Sequence, residues 1–414
     1  MAVLVKAGKM MRFIWCGLMS GLVALAAQSV AADEGDTLNF SVGSALQFNS
    51  NVFRTPDTSG PQPGFSKKGD YANISHAGLN IDKAYSQQRF QLGGTYSITR
   101  YDTFSTINSD TLSYQGAWLW ALTPHLTGSL SASQSQAQVS FADVSGATQR
   151  NVRTTVNQNL SIDAWVSGKW HLIAGLGRSE ATTEQALLAA PATRGQSLEG
   201  GVRYVASSGN TITFTHRVRP TDLVNFALDT TRNLTETNYR DIESELKVDW
   251  RLSGKSSING RLARKSRRNE HIPQRDFSGI AGDISYAWRA SDKLQFTLGA
   301  SRDISPFSAF GNASQSSNDK LDHRLSLTSS WQASAKTSVN LSLSRTLSDY
   351  RGDVLSVGGA ARSDDLRSAQ LGFNWGVKRF LSLNASLGRD LRTSNTTGFQ
   401  FSNNSASVGA ELKF

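Results

Sequence analysis

The 414-residue sequence predicts an all-β fold: one antiparallel sheet of about eighteen strands, closed into a transmembrane barrel with short turns at one end and long loops at the other. Three observations predict it. Hydropathy alternates at period two through nearly the whole chain. Short connections alternate with long ones. Tryptophan recurs just before short turns, with Trp120, Trp165, Trp250, Trp288, Trp331 and Trp375 spaced 45, 85, 38, 43 and 44 residues apart.

The first element, residues 1–32, has the form of a secretory signal. Lys6, Lys9 and Arg12 precede the apolar stretch Phe13 to Ala27, and Ser29-Val30-Ala31 and Val30-Ala31-Ala32 both offer small-residue cleavage sites. An uncleaved anchor helix is the alternative, but the stretch is short for a bilayer span. Cys16 and all four methionines lie inside it. The remaining chain, 33–414, is therefore expected to hold no disulfide and no thiolate metal site. No later run approaches a membrane helix in length. The mean hydropathy of −0.34 suits a barrel as well as a soluble chain, because alternate barrel residues face water. The net charge of +10 could serve nucleic acid or anionic lipid. An exported β-rich chain without a clustered basic helix speaks against nucleic acid.

Strands are expected near 38–49, 71–82, 88–100, 111–122, 125–136, 154–166, 170–179, 197–205, 211–219, 238–252, 256–265, 278–288, 293–302, 321–332, 337–346, 366–376, 380–389 and 402–414. Leu38, Phe40, Val42 and Leu46 share one face of the first, and Asn39, Ser41, Gly43 and Gln47 the other. Thr123-Pro124, Ser167-Gly168, Ser208-Gly209-Asn210, Ser253-Gly254 and Ser334-Ala335 are the short connections. The long ones, 49–70, 137–153, 180–196, 220–237, 303–320 and 347–365, hold Pro56, Pro61, Pro63, Pro191, Pro220 and Pro306. Short periplasmic turns, long outer loops and an even strand number put both chain ends in the periplasm of an outer-membrane barrel. A β-propeller also repeats at about forty residues, but it needs four strands per repeat where this chain has two.

Indoles repeated at one level mark an oil–water boundary. Trp118, Trp120, Trp165, Trp170, Trp250, Trp288, Trp331 and Trp375 are expected to form a periplasmic aromatic girdle. At the other end, Arg100, Arg178, Arg264, Arg302, Arg345 and Arg389 follow the apolar face of six up-going strands. Guanidiniums at that level are placed to meet phosphates of lipopolysaccharide; simple snorkelling is the alternative. Val408, Ala410, Leu412 and the terminal Phe414 share a face, a form that resembles the signal read by the barrel-assembly machinery.

Closing about eighteen strands gives a Cα diameter of roughly 35 Å, wide enough for an aqueous channel unless it is plugged. Glu243, Glu245, Lys247, Asp249 and Arg251 alternate down one expected lumen face, with Arg261 and Lys265 on the neighbouring strand. Such a wall sets solute selectivity or is simply a paired, solvated surface. Strand aromatics have lipid parity almost throughout, so an aromatic rail for sugars is not expected. His76, His125, His171, His216, His271 and His323 are scattered without metal-ligand spacing, and neither a cofactor nor catalysis is expected. A serine–histidine hydrolase, whose partners can come from different strands, stays open.

Particular strings resemble the EpsL-type outer-membrane proteins encoded with exopolysaccharide biosynthesis and exosortase genes. They are Glu34-Gly35-Asp36-Thr37, Asn51-Val52-Phe53-Arg54, Gln88-Arg89-Phe90-Gln91-Leu92, Ala117-Trp118-Leu119-Trp120 with Leu122-Thr123-Pro124, Trp250-Arg251-Leu252-Ser253-Gly254-Lys255-Ser256, Gln274-Arg275-Asp276-Phe277-Ser278-Gly279 and the terminal Phe414. The resemblance implies a porin-like barrel that moves or secretes a polysaccharide, with polysaccharide and export components as partners. It supplies no catalytic residue. A docking barrel with a plugged lumen is the second reading.

Overall fold

A computed structural model describes residues 37–143, 147–185, 192–224, 237–271, 273, 276–306, 319–351 and 361–414. The expected signal segment, with Cys16, lies outside the described residues, as do Pro191, most of the expected loops 220–237 and 303–320, and the middle of 347–365.

Eighteen strands form one antiparallel sheet. They are β1 (Leu38–Asn49), β2 (Asp70–Tyr85), β3 (Gln88–Tyr101), β4 (Ser109–Thr123), β5 (Leu126–Gln138), β6 (Val152–Ser167), β7 (Trp170–Thr183), β8 (Ala192–Val205), β9 (Thr211–Val224), β10 (Asn238–Ser253), β11 (Ser256–Asn269), β12 (Phe277–Ser291), β13 (Leu294–Pro306), β14 (Asp319–Ser334), β15 (Thr337–Arg351), β16 (Ser363–Lys378), β17 (Leu381–Ser394) and β18 (Phe401–Lys413). Each pairs with its sequence neighbours. β1 also pairs with β18, from Ser41↔Lys413 to Asn49↔Ser405, so the sheet closes and no edge is left. The last rung of that seam is reciprocal: Phe414 N donates to Phe40 O at 2.8 Å, and Phe40 N to Phe414 O at 2.9 Å.

Period-two patterning dictates which face is which. Leu172, Leu176, Leu198, Ile284, Leu298, Leu325, Leu387 and Val408 are all more than half exposed on the outside. In water that apolar belt would cost about 25 cal/mol per Å²; in a bilayer it is the stabilising surface. Residues one position out of step face the interior.

Six of the eight short turns share a device. The pairing slips by one residue at Ala121/Thr123, Trp165/Ser167, Arg251/Ser253, Arg289/Ser291, Gln332/Ser334 and Gly376/Lys378, a bulge that tightens the hairpin twist. Gly168 and Gly209 supply positive φ, +58° and +80°, where a Cβ would be strained.

Strands run longer at the loop end than the hydropathy predicts. β8 begins at Ala192 rather than 197, β9 reaches Val224 rather than 219, and β15 reaches Arg351 rather than 346. Above the lipid, cross-strand ion pairs replace apolar packing, so the ladder continues after the alternation has faded. Arg194 joins Glu180 across β7–β8 at 3.1 Å, and Arg345 joins Asp365 across β15–β16 at 3.0 Å. Pro220, expected in a loop, sits within β9. Its pairing to β10 is kept (Arg240↔Pro220), while the ladder to β8 skips from Gly195↔Thr221 to Leu198↔Val218. Only the side lacking an N–H is broken.

Candidate functional site

The lumen wall divides into two kinds of surface. From β15 through β18 and on to β5, inward positions are mostly small and neutral. They include Ser338, Asn340, Ser342 and Ser344 on β15, Ser382, Asn384 and Ser386 on β17, Gln91, Thr95 and Ser97 on β3, and Ser129, Ser131, Ser133 and Ser135 on β5. Part of this wall, toward the turn end, borders a cavity of about 980 Å³ that Asn39, Asn80, Thr95 and Gln115 line together with Lys378 and Glu411.

From β6 to β14 the inward face is charged, and most of its charges are answered, inward Arg153, Arg219, Arg289 and Arg324 being among those that take no ion pair among the described residues. Arg261 donates to Glu243 (3.2 Å), Glu245 (3.1 Å) and Asp283 (2.7 Å). Lys247 meets Glu245 at 2.8 Å, Lys265 meets Asp303 at 2.7 Å, and Arg217 pairs with Glu199. At the turn end Asp163 holds both His171 (2.6 Å) and Arg203. The expected wall residues Glu243, Glu245, Lys247, Asp249, Arg251 and Arg261 share this face, as their register on β10–β11 requires. Asp249 and Arg251 take no ion pair among the described residues; Thr211 Oγ1 donates to Asp249 at 3.3 Å.

Seven of the eight expected girdle indoles have lipid parity near the short turns: Trp118, Trp120, Trp170, Trp250, Trp288, Trp331 and Trp375. Trp165 is a correction. It pairs with inward His171, while Ala164, paired with Leu172, takes the outward place. Its ring stacks on His125 at 4.3 Å in the lumen's turn-end mouth. The reason is a one-residue offset: Trp165-Val166-Ser167-Gly168-Lys169 aligns with Arg251-Leu252-Ser253-Gly254-Lys255, not with Trp250.

Arg100, Arg178, Arg264, Arg302, Arg345 and Arg389 all have outward parity at the loop-side end of their strands. Arg100 pairs with Asp110 at 2.6 Å, and Arg302 Nη1 donates to Ile280 O at 2.6 Å.

The element that hydropathy reading missed is a cap in the loop-end mouth. The first loop (50–69), the second (102–108) and the described parts of the third (139–143 and 147–151) turn inward and bury Val52, Phe53, Phe104 and Ile107, with Phe65, Tyr101 and Phe141 against them. Phe104 is fully buried, and its ring meets Phe53 at 4.9 Å and Phe65 at 4.8 Å. Asp70, also buried, accepts from the N–H groups of Thr103 (2.8 Å) and Phe104 (3.0 Å) and from Lys67 Nζ (3.0 Å), tying two loops to β2. Apolar residues stranded in polar loops, and the Asn51-Val52-Phe53-Arg54 string, were the available signals.

The cap is fastened across the mouth. Asn51 Nδ2 donates to Ser402 O at 3.1 Å, and its N–H to Asn403 Oδ1 at 3.1 Å. Arg54 holds a left-handed φ of 55°, donates to Asn51 O at 2.6 Å and reaches Asp390 on the β17 wall at 3.7 Å. Burial lowers the Arg54 pKa, and the Asp390 carboxylate opposes that. Arg392, also from β17, donates to Ala142 O in the third loop and stacks on Phe401 at 4.8 Å. The third loop leaves the sheet between β5 and β6, six strands from β17, so this contact spans the neutral sector. Beside it Arg362 lies over Phe399 (3.7 Å) and Tyr350 (4.2 Å) and pairs with Asp364 at 2.5 Å.

Two histidine pairs bear on hydrolysis. His216 Nδ1 lies 2.9 Å from Ser244 Oγ, but both have lipid parity near mid-height. His171–Asp163 lies at the turn end of the lumen, with arginine rather than serine as third member. No group of three potential metal ligands occurs among the described residues.

A family model described as "Putative beta-barrel porin 2" matches residues 265–414. No curated protein matches the chain. Among solved structures, OccK1 (OpdK) of Pseudomonas aeruginosa superposes with TM-score 0.49 at 9% identity, covering 91% of this chain and 99% of that one. OccK2 (OpdF) of the same organism gives 0.49 at 11% identity, covering 91% and 98%. The ferric enterobactin receptor PfeA, also from Pseudomonas aeruginosa, gives 0.48 at 9% identity, covering 92% and 82%. A closed eighteen-stranded sheet with an oily belt and a hydrated interior, matching a porin family over its last seven strands, is a porin-like barrel of the outer membrane.

Proposed function

We propose that this barrel is a non-enzymatic conduit serving the export of an exopolysaccharide. The observation that carries the reading is the neutral half of the lumen. Ser, Thr, Asn and Gln side chains both donate and accept, so they exchange hydrogen bonds with sugar hydroxyls in either direction. They are short, so they leave room for a hydrated chain, and among the described residues no aromatic row runs down that wall. The resemblance of the strings quoted above to exopolysaccharide-associated barrels points the same way. Phe414, at the seam, is the expected contact for the assembly machinery.

The buried cap favours a second reading, a docking barrel closed at its outer mouth. Reconstitution in planar bilayers separates the two. A conduit gives conductance steps, and added polysaccharide interrupts them. Removing the ring of Phe104 with F104A costs the cap about 3–5 kcal/mol of packing and should raise the open fraction. Complete absence of steps in both wild type and F104A would rule out the conduit and leave the docking role.

A further inference from the structure

We propose that the outward face of β10–β13 carries a binding site for the phosphate of an outer-leaflet glycolipid, the lipid A part of lipopolysaccharide, centred on Arg240 and Arg268. The site is independent of what passes through the lumen.

Arg240 and Arg268 stand directly opposite each other on β10 and β11. Both are exposed and share the parity of Leu246 and Leu262, which face lipid. Like charges in that relation repel and destabilise a sheet unless an anion sits between them. The barrel contains a second such pair, Arg345 opposite Arg367 on β15 and β16. There the chain supplies its own anion: Asp365 accepts from Arg345 at 3.0 and 3.1 Å and from Arg367 at 2.7 and 3.2 Å. At three further rim arginines the same rule holds. Arg100 has Asp110, while Arg178 and Arg194 flank Glu180.

Around Arg240 and Arg268 the rule lapses. Neither meets a carboxylate among the described residues, and Arg264, four residues below on β11, meets none either. The acids of β10 cannot help. Asp241, Glu243 and Glu245 have lumen parity and are engaged by Arg267 and Arg261. Asp222, the outward acid of β9, is opposite Asn238 on one side and Arg194 on the other. Arg302 on β13 adds a fourth outward guanidinium, two strands from Arg264.

Height selects the anion. From Trp250 to Arg240 is ten residues, roughly 25 Å along the membrane normal for a strand tilted about 40°. That is the top of an apolar band about 25 Å tall, where lipid phosphates begin. Two guanidiniums side by side match a phosphate with bidentate hydrogen bonds.

The test uses the full barrel folded in detergent, with native mass spectrometry counting bound bisphosphorylated lipid A. Wild type is expected to retain it, and R240Q/R268Q to bind about tenfold more weakly, as loss of two solvent-exposed charge contacts implies. R194Q/R367Q, whose guanidiniums already have Glu180 and Asp365, should change little. Equal losses in the two double variants, or no loss in either, would overturn the site. So would equal binding of dephosphorylated lipid A. Inorganic phosphate binding with the same arginine dependence, in the absence of lipid A binding, would overturn the lipid assignment. A gel shift on heating reports folding of each variant, and R268Q alone is read the same way should R240Q/R268Q not fold.

Discussion

At the scale of single residues, parity decided nearly everything, and one step of parity decided the exception. Trp250, Trp288 and Trp331 precede their turns by one residue more than Trp165 does. A beat counted in tens of residues cannot resolve that step, yet it moves an indole from lipid to lumen. Lined up on the Ser-Gly-Lys turn instead, the sequence places Ala164 at the girdle position. Single-tryptophan variants should therefore respond in opposite ways. Brominated lipid is expected to quench Trp250 fluorescence strongly and Trp165 weakly. Iodide delivered to the lumen is expected to quench Trp165 more than Trp250. Equal lipid quenching of both would return Trp165 to the girdle.

At the scale of elements, strands were legible where apolar residues alternate, and their outer ends were not. All eighteen stand where the hydropathy places them, but β8, β9 and β15 run several residues further. These extensions are held by charge and by aromatic stacking, which leave no period-two hydropathy mark. The cap was hidden for a related reason: Phe53, Phe104 and Phe141 come from three loops, and no local pattern announces that they meet. Arg267, at the outer end of β11, shows what such an end is made of. It is 9% exposed, donates to both Asp241 oxygens at 2.7 and 2.8 Å and lies 3.7 Å over the Tyr239 ring. D241A strands a buried cation and should cost about 3–5 kcal/mol. R267M removes the cation, keeps apolar cover over Tyr239 and leaves a better hydrated acid, so it should cost less. Urea unfolding from lipid vesicles should rank the midpoints wild type, R267M, D241A. The reverse order of the two variants would mean that the stacking, not the charge pairing, holds this end.

At the scale of the whole molecule, the barrel is a cylinder with a neutral side and a charged side, and many of the charges on that side answer one another. Arg261 alone answers Glu243, Glu245 and Asp283. Inward Arg153, Arg219, Arg251, Arg289 and Arg324 take no ion pair among the described residues, so the intact pore should lean toward anions. R261Q lowers that positive excess with a single change. The three carboxylates then keep only Lys247 near Glu245, at 2.8 Å, and Arg217 near Glu243, at 4.0 Å. The wall becomes more negative, and the zero-current potential across a salt gradient should move toward cation selectivity. E245Q, which removes one negative charge, should move it the other way. Both shifts should be larger near 0.1 M salt, where the Debye length is about 10 Å, than near 1 M, where it is about 3 Å. Opposite variants that move the potential in the same direction, or a shift that ignores salt, would mean that ions do not pass along this wall.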